Sequence, residues 1–145
     1  MQPVFSAKTE YGLISLLELA SIYLQGGVLQ VAEIASRQQM PDRYLEQMLT
    51  SLRQAQILRS IRGPRGGYQL AMSPSQIKVV DVVRCLEGED SLGGETLSET
   101  PEYQVLNSLK NELAMARAQI LETTTLQDLI DRRDRLMESQ AMYFI

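Results

Sequence analysis

The chain has 145 residues, a formal net charge of −4, one cysteine and no histidine. The missing histidine removes the commonest general base and the commonest metal ligand, so an enzyme is not expected, and the single cysteine excludes an intrachain disulfide framework. No apolar run approaches the roughly 20 residues that cross a bilayer, and the first residues do not form a secretory signal, so we expect a cytoplasmic protein without a membrane partner.

Two helices are predicted before residue 40. The first begins with Ser6 as its N-cap, continues to about Leu24 and ends at a Gly-Gly pair. Its expected apolar side includes Tyr11, Ile14, Leu17 and Tyr23, and Ala20 and Leu24 extend it. The second helix spans Val31 to about Gln38, with Ile34 and Ala35 directed inward. A tight connection then leads to a third helix, which matches a helix-turn-helix, although an ordinary helical hairpin fits this part of the pattern equally well.

The third helix begins after Pro41 and combines an apolar face with a polar one. The apolar face follows helical spacing and consists of Leu45, Met48, Leu49 and Leu52. The opposite face carries side chains that can donate hydrogen bonds, namely Arg43, Tyr44, Gln47, Thr50, Arg53 and Gln54. Because a polar helix face is usually only solvated, this helix alone does not establish a binding surface.

A basic hairpin follows at once and favours a DNA-binding function. Leu58 to Arg62 and Tyr68 to Leu70 read as strands, and the turn between them is rich in glycine, which tolerates positive φ. Arg62 and Arg65 flank the turn tip, where they can enter a narrow, electronegative minor groove. Any β-turn can carry an arginine, but a glycine-rich tip with two arginines after an amphipathic helix is typical of a DNA-binding wing.

The charge distribution agrees with this interpretation. Residues Arg37 to Arg65 contain six arginines and two acids, a local charge of +4, whereas the rest of the chain carries −8. The stretch from Glu87 to Glu102 holds six acids and no base. Such segregation is expected when one surface meets phosphates and the remainder repels them.

The C-terminal half begins with a helical turn at Ser73-Pro74 and a short helix from Val79 to Leu86, which we expect to pack under the wing. Cys85, within that helix, is expected to be a small buried hydrophobe. An acidic loop without periodicity follows up to Thr100.

Pro101 opens a long helix whose apolar residues are spaced 3, 4, 3, 4, as in a heptad seam. These residues are Leu106, Leu109, Leu113, Ala116 and Ile120. The narrow stripe predicts a helix that crosses its symmetry mate in a homodimer; packing on its own domain alone is the alternative. Thr125 and Asp128 predict a capping box for a last helix. That helix offers an apolar side of Leu126, Leu129, Ile130 and Met137, and the apolar tail AMYFI is expected to contact the partner.

These elements predict a mainly α fold with a small β-hairpin wing, that is, a winged helix-turn-helix plus a long C-terminal dimerisation helix. The expected organisation is a DNA-binding domain at 1–88, an acidic loop at 89–100 and a dimerisation region at 101–145.

Three stretches of the sequence resemble the Rrf-type bacterial transcription regulators, the family of IscR, NsrR and CymR. They read TEYGLISLLELA, then VAEIASRQQMPDRYLEQMLTSLRQAQILRSIRGPRGGYQLA, then DVVRCLEG. The YLEQ segment and the RGPRGGY wing are the most specific parts, and the similarity extends over essentially the whole chain. The resemblance implies a homodimer that represses or activates transcription at a palindromic operator on double-stranded DNA.

The resemblance also implies a set of DNA-contacting residues. Arg43, Tyr44 and Gln47 match the family's groove-facing helix start, and Glu46 matches a residue that selects or rejects bases. Arg62 and Arg65 match the wing tip, and Lys8 matches a basic residue at the start of the first helix. Arg53, from the same polar helix face, completes the expected set.

One departure from the family concerns the cofactor. Cluster-binding members carry three cysteines in the loop before the dimer helix, whereas residues 88–100 have none and Cys85 lies upstream inside a helix. Glu10 resembles the position of a carboxylate ligand in some relatives, but a lone carboxylate holds no cluster. Because iron–sulfur sites need several thiolates, we expect no iron–sulfur cofactor.

Two other functions stay open from the sequence. One is a redox or iron sensor that uses Cys85 across the dimer. The other is a protein-interaction module that has lost DNA binding and contacts a regulatory protein partner through the acidic loop.

Overall fold

The computed structural model describes residues 4–88 and 99–142, which form six α-helices and one β-hairpin. The elements in chain order are α1 Ala7–Ser21, α2 Val31–Gln38, α3 Asp42–Gln54, β1 Leu58–Ile61, β2 Gly67–Leu70, α4 Val79–Glu87, α5 Pro101–Thr123 and α6 Leu126–Met142. The predicted class, mainly α with a small hairpin wing, is confirmed. Residues 89–98 of the acidic loop and the last three residues of the apolar tail lie outside the described residues.

Helix α1 lies at the centre of the molecule, packed against α3, α4 and α6. Ser6 caps it as predicted, since the Ser6 hydroxyl accepts a hydrogen bond from the amide of Thr9 at 3.1 Å. The predicted apolar side was wrong in part: Ala20 is buried as predicted, but Leu24 is exposed. The buried apolar residues are Leu13, Leu16, Leu19 and Ala20, whereas Tyr11, Ile14, Leu17 and Tyr23 are only half-buried. A helix that packs on several sides is apolar almost all round, so spacing does not select its deepest face.

The hairpin, residues 58–70, is the predicted wing, and a third segment extends it. Strands β1 and β2 pair antiparallel, and Leu29 forms a bridge to Tyr68 on the other side of β2. The two residues exchange backbone hydrogen bonds of 2.8 and 3.0 Å. Gly67 allows this close approach, because a Cβ there would lie 2.4 Å from the carbonyl oxygen of Leu29.

Helix α4 packs against α1, α3 and α5, which corrects the expectation that it lies under the wing. Its buried residues are Val79, Val80, Val82, Val83 and Leu86. Gly12 of α1 allows the close approach, since a Cβ on it would lie 2.4 Å from the Cδ1 atom of Leu86. The short 3-10 turn Pro74–Gln76 separates α4 from the hairpin, and this turn packs on α6.

The two C-terminal helices begin as the sequence predicts. Thr100 caps α5 and Pro101 occupies its first turn. The capping box of α6 is present, with Thr125 N donating to Asp128 Oδ2 at 2.9 Å and Asp128 N donating to Thr125 Oγ1 at 3.1 Å. Leu121, Leu126 and Ile130 join the same buried core as the N-terminal helices.

Candidate nucleic-acid interface

Helix α3 presents its polar face to solvent. Its apolar face is buried as predicted, and the exposed side chains include Arg43, Tyr44, Glu46, Gln47, Arg53 and Gln54. Thr50 is half-buried, and its hydroxyl donates to the carbonyl of Glu46 at 2.8 Å, so its proton is already used within the helix. The side chains that remain able to donate to an outside acceptor are therefore the arginines, Tyr44 and the glutamines.

A groove of about 570 Å³ separates the start of α1 from the polar face of α3. It is lined by Lys8, Arg43, Glu46, Gln47, Thr50 and Ser51. The groove therefore brings together four of the predicted DNA contacts, which come from two helices. Tyr44 and Arg53 are exposed on α3 but do not line it.

The wing tip carries Arg62 and Arg65, both exposed as predicted. Among the described residues neither arginine forms an ion pair, so their charges stay available to phosphates. Gly63 adopts φ +112°, which confirms the positive φ expected at the tip. Gly66 is buried against the hairpin backbone, and its missing side chain lets the turn close.

Arg59 is a further basic residue on the wing, which was not predicted as a DNA contact. It lies on β1 directly opposite Gln69, and its Nε donates to Gln69 Oε1 at 2.6 Å. Gln69 Nε2 in turn donates to the carbonyl of Gly27 at 3.3 Å. Arg59 could have been found from the pairing register of the two strands, which places it opposite Gln69. The sequence does not define this register until the residues of the turn are known.

Cys85 was expected to be a small buried hydrophobe; it packs against the core beside the α1–α3 groove but is only half-buried. Its Sγ donates to the carbonyl of Ser51, a residue that lines the groove, at 3.5 Å. Burial raises the pKa of the Cys85 thiol, and the nearby Lys8 ammonium offsets part of that rise. The thiol form is therefore favoured near neutral pH.

The donor set does not fit an iron–sulfur cluster. Such a cluster needs several thiolates, whereas the whole sequence has one cysteine and no histidine. Within residues 4–88 and 99–142, no three side chains among histidine, cysteine, aspartate and glutamate come together as a metal site.

The predicted apolar stripe of helix α5 is not covered by any of the residues that the structure describes. The stripe consists of Leu106, Leu109, Leu113, Ala116 and Ile120, all of which are exposed. The side of α5 that faces the core contributes only Leu121 as a buried residue. Five exposed apolar residues along one face of a helix are typical of a surface that contacts another protein.

No helix in the described part of the chain has the length and apolar character of a membrane span.

Comparison with known proteins agrees with this geometry. The sequence matches the Rrf2 family, described as "Iron-dependent Transcriptional regulator", over residues 5–132. It is 34% identical to the HTH-type transcriptional regulator CymR of Bacillus subtilis over 138 residues, which cover 95% of this chain and 97% of CymR.

Two solved structures share the fold. The structure of CymR, the global cysteine regulator of B. subtilis, superposes with a TM-score of 0.81 at 34% identity, covering 91% of this chain and 98% of CymR. IscR of T. potens gives a TM-score of 0.71 at 32% identity, covering 92% and 90% of the two chains. The winged fold, the polar face of α3 and these matches together show that the chain belongs to the Rrf2 family of DNA-binding transcriptional regulators.

Proposed function

We propose that the protein acts as a homodimer that binds a palindromic operator and carries no iron–sulfur cluster. The observation that carries the proposal is the exposed apolar stripe at heptad spacing on α5, a helix that packs against α4 of the N-terminal domain. The stripe consists of Leu106, Leu109, Leu113, Ala116 and Ile120. A stripe of this kind is stabilised when a second copy covers it. Two-fold symmetry then presents two α3 helices and two wings to one duplex.

Each protomer would place α3 in a major groove. There Arg43 can donate to the O6 and N7 atoms of guanine, and Gln47 can pair with adenine. Glu46 can accept from the amino group of cytosine and repels bases that offer only acceptors. Lys8, across the α1–α3 groove, would contact the phosphate backbone and fix the register.

The wing would enter the neighbouring minor groove. Arg62 and Arg65 are exposed at the tip, and the flexible backbone of Gly63 allows close approach to the duplex. Arg59 lies farther down β1, where it can add a phosphate contact. In a two-fold complex the half-sites would lie roughly 34 Å apart, one helical turn, or a multiple of this distance.

The protein would act by binding and not by catalysis, in the cytoplasm that holds the bacterial chromosome. One thiol per chain supplies two per dimer, which is too few ligands for a cluster. The raised pKa of Cys85 favours the thiol, which is a poor nucleophile and a poor metal ligand. These points disfavour a sensor that uses Cys85.

The test is selection of binding sites from random duplex DNA, followed by titration of the recovered site at several salt concentrations. We expect an enriched palindrome, one dimer per site and a steep log–log dependence of affinity on salt. A module that has lost DNA binding would recover no enriched sequence. Anaerobically purified protein should be colourless and free of iron; visible absorbance with bound iron and sulfide would contradict the absence of a cluster.

A further inference from the structure

Three segments that are distant in the sequence meet at the start of α1. The carboxylate of Glu87, at the end of α4, accepts a hydrogen bond from the backbone amide of Ser6 at 2.8 Å. Its second oxygen lies 3.9 Å from the guanidinium of Arg117, in the C-terminal half of α5. Arg117 also donates to the backbone carbonyl of Val4 at 3.4 Å. We call this junction of Val4, Ser6, Glu87 and Arg117 the N-terminal clamp.

The two charged side chains of the clamp are partly shielded from water, although Val4 and Ser6 themselves are exposed. The side chain of Glu87 is 11% exposed and that of Arg117 is 27% exposed. A carboxylate in such surroundings interacts more strongly with its partners than a pair on the open surface, where solvent screens the charges. The clamp therefore holds the chain segment before α1 in one position.

That segment leads directly to a predicted DNA contact. Ser6 is the N-cap of α1, and Lys8 follows two residues later, in the first turn. Lys8 lines the α1–α3 groove together with Arg43 and Gln47. Because the first turn of a helix frays when its N-terminal anchor is lost, the position of Lys8 depends on the bond between Ser6 and Glu87.

We propose that Glu87 is a positioning residue for DNA binding, which holds Lys8 at the phosphate backbone, and that Arg117 connects this hold to α5. The inference rests on the proposed function and adds a link from the dimer helix to a DNA-contacting side chain. A shift of α5 relative to α4 would move Arg117 away from Glu87. The clamp would then loosen, and the first turn of α1 would lose its anchor.

The fold supplies a matched control. Arg84 of α4 and Glu122 of α5 form a second ion pair between the same two helices, also at 3.9 Å. Its two side chains are about half-exposed, and neither forms a hydrogen bond with residues 4–6, the described part of the segment before α1. Glu122→Ala therefore removes a contact between α4 and α5 without touching the clamp.

The experiment compares the full-length wild type with Glu87→Ala, Glu87→Gln, Lys8→Ala, Glu122→Ala and the double variant Lys8→Ala/Glu87→Ala. Binding to the selected operator is titrated at several salt concentrations. Amide hydrogen exchange of the first turn of α1 is measured in the DNA-free protein. We expect Glu87→Ala to reduce the steepness of the plot of log affinity against log salt concentration by about 0.9 per protomer, which corresponds to the loss of one phosphate contact. We also expect it to speed amide exchange in the first turn of α1.

The remaining variants separate positioning from general destabilisation. The double variant should match Lys8→Ala alone, because both changes remove the same contact. Glu87→Gln keeps an oxygen that can accept from Ser6 and should restore most of the slope, and Glu122→Ala should match the wild type. Should Glu87→Ala fail to fold, Arg117→Ala is measured instead. It keeps the Ser6 bond but removes the guanidinium that holds the Glu87 carboxylate and the bond to Val4, so amide exchange should still be faster than in the wild type, and unchanged exchange would overturn the inference.

The inference is overturned when Glu87→Ala leaves both the slope and the exchange unchanged, or when its effect adds fully to that of Lys8→Ala. The proposed function fails in a different way, when the wild type itself recovers no operator and shows a flat salt dependence. In that case hydrogen exchange in the DNA-free protein still decides whether the clamp holds the first turn of α1.

Discussion

Gly66 packs directly on the backbone of Ile61. A Cβ placed on Gly66 would lie 2.2 Å from the carbonyl oxygen of Ile61, closer than folded proteins tolerate. Gly66→Ala must therefore shift the turn that carries Arg62 and Arg65, at a local strain of about 1–3 kcal/mol. We expect operator affinity to fall while the helix content, measured by circular dichroism, stays the same. Pro64→Ala, a change at an exposed position in the same turn, is the control, and equal affinity loss in both variants would contradict the explanation.

Gln47 and Gln54 offer a matched comparison on α3. Both are exposed, but only Gln47 lines the α1–α3 groove. Gln47→Ala should lose about 1–3 kcal/mol of discrimination at one base pair of each half-site, because a side chain that pairs with a base edge is removed. Gln54→Ala should leave specificity unchanged, and neither variant should alter the melting temperature. Binding to a library of single-base operator variants measures the effect; a uniform loss over all sequences would assign Gln47 to the backbone instead.

Leu113 and Met115 offer a matched test of the proposed dimer surface on α5. Both are exposed, at 63% and 73%, but residues two apart on a helix do not face the same side, and only Leu113 belongs to the stripe. Leu113→Glu should produce monomers in sedimentation analysis, because it places two charges in an apolar seam, and operator affinity should fall with it. Met115→Glu should remain dimeric. Two dimeric variants would show that the stripe is not the dimer interface.

The thiol of Cys85 should react slowly in the folded protein. Burial raises its pKa, so at pH 8 a smaller fraction is thiolate than for a free cysteine, and the thiolate is the reactive form. The rate of reaction with a disulfide reagent should increase when the protein is unfolded in denaturant. Cys85→Ser should bind the operator as the wild type does. Rapid modification of the native protein with loss of DNA binding would instead support the redox-sensor function.

The sequence predicted most reliably those elements whose pattern is local. The apolar face of α3 at Leu45, Met48, Leu49 and Leu52 follows from one helix packing on one side, and the wing follows from its glycines. The deep face of α1 did not follow, because that helix packs against α3, α4 and α6 and its apolar residues surround it.

The site was predicted in part for the same reason. The exposed residues of α3 and the wing tip were identified, but the pairing of Arg59 with Gln69 depends on the hairpin register. The N-terminal clamp joins residues 4, 6, 87 and 117, and no short-range pattern connects positions so far apart.

Two backbone hydrogen bonds join the connection between α5 and α6 to the chain at the start of α4. Val79 N donates to Thr124 O at 2.8 Å, and Leu126 N donates to Ile77 O at 2.9 Å. A fragment that stops before residue 100 would lose these partners and uncover the cavity now filled by Leu126, so we expect it to aggregate or stay unfolded when expressed. We therefore expect that the N-terminal DNA-binding region does not fold without α5 and α6. A fusion of this region to the dimerisation domain of another protein would have to include both helices.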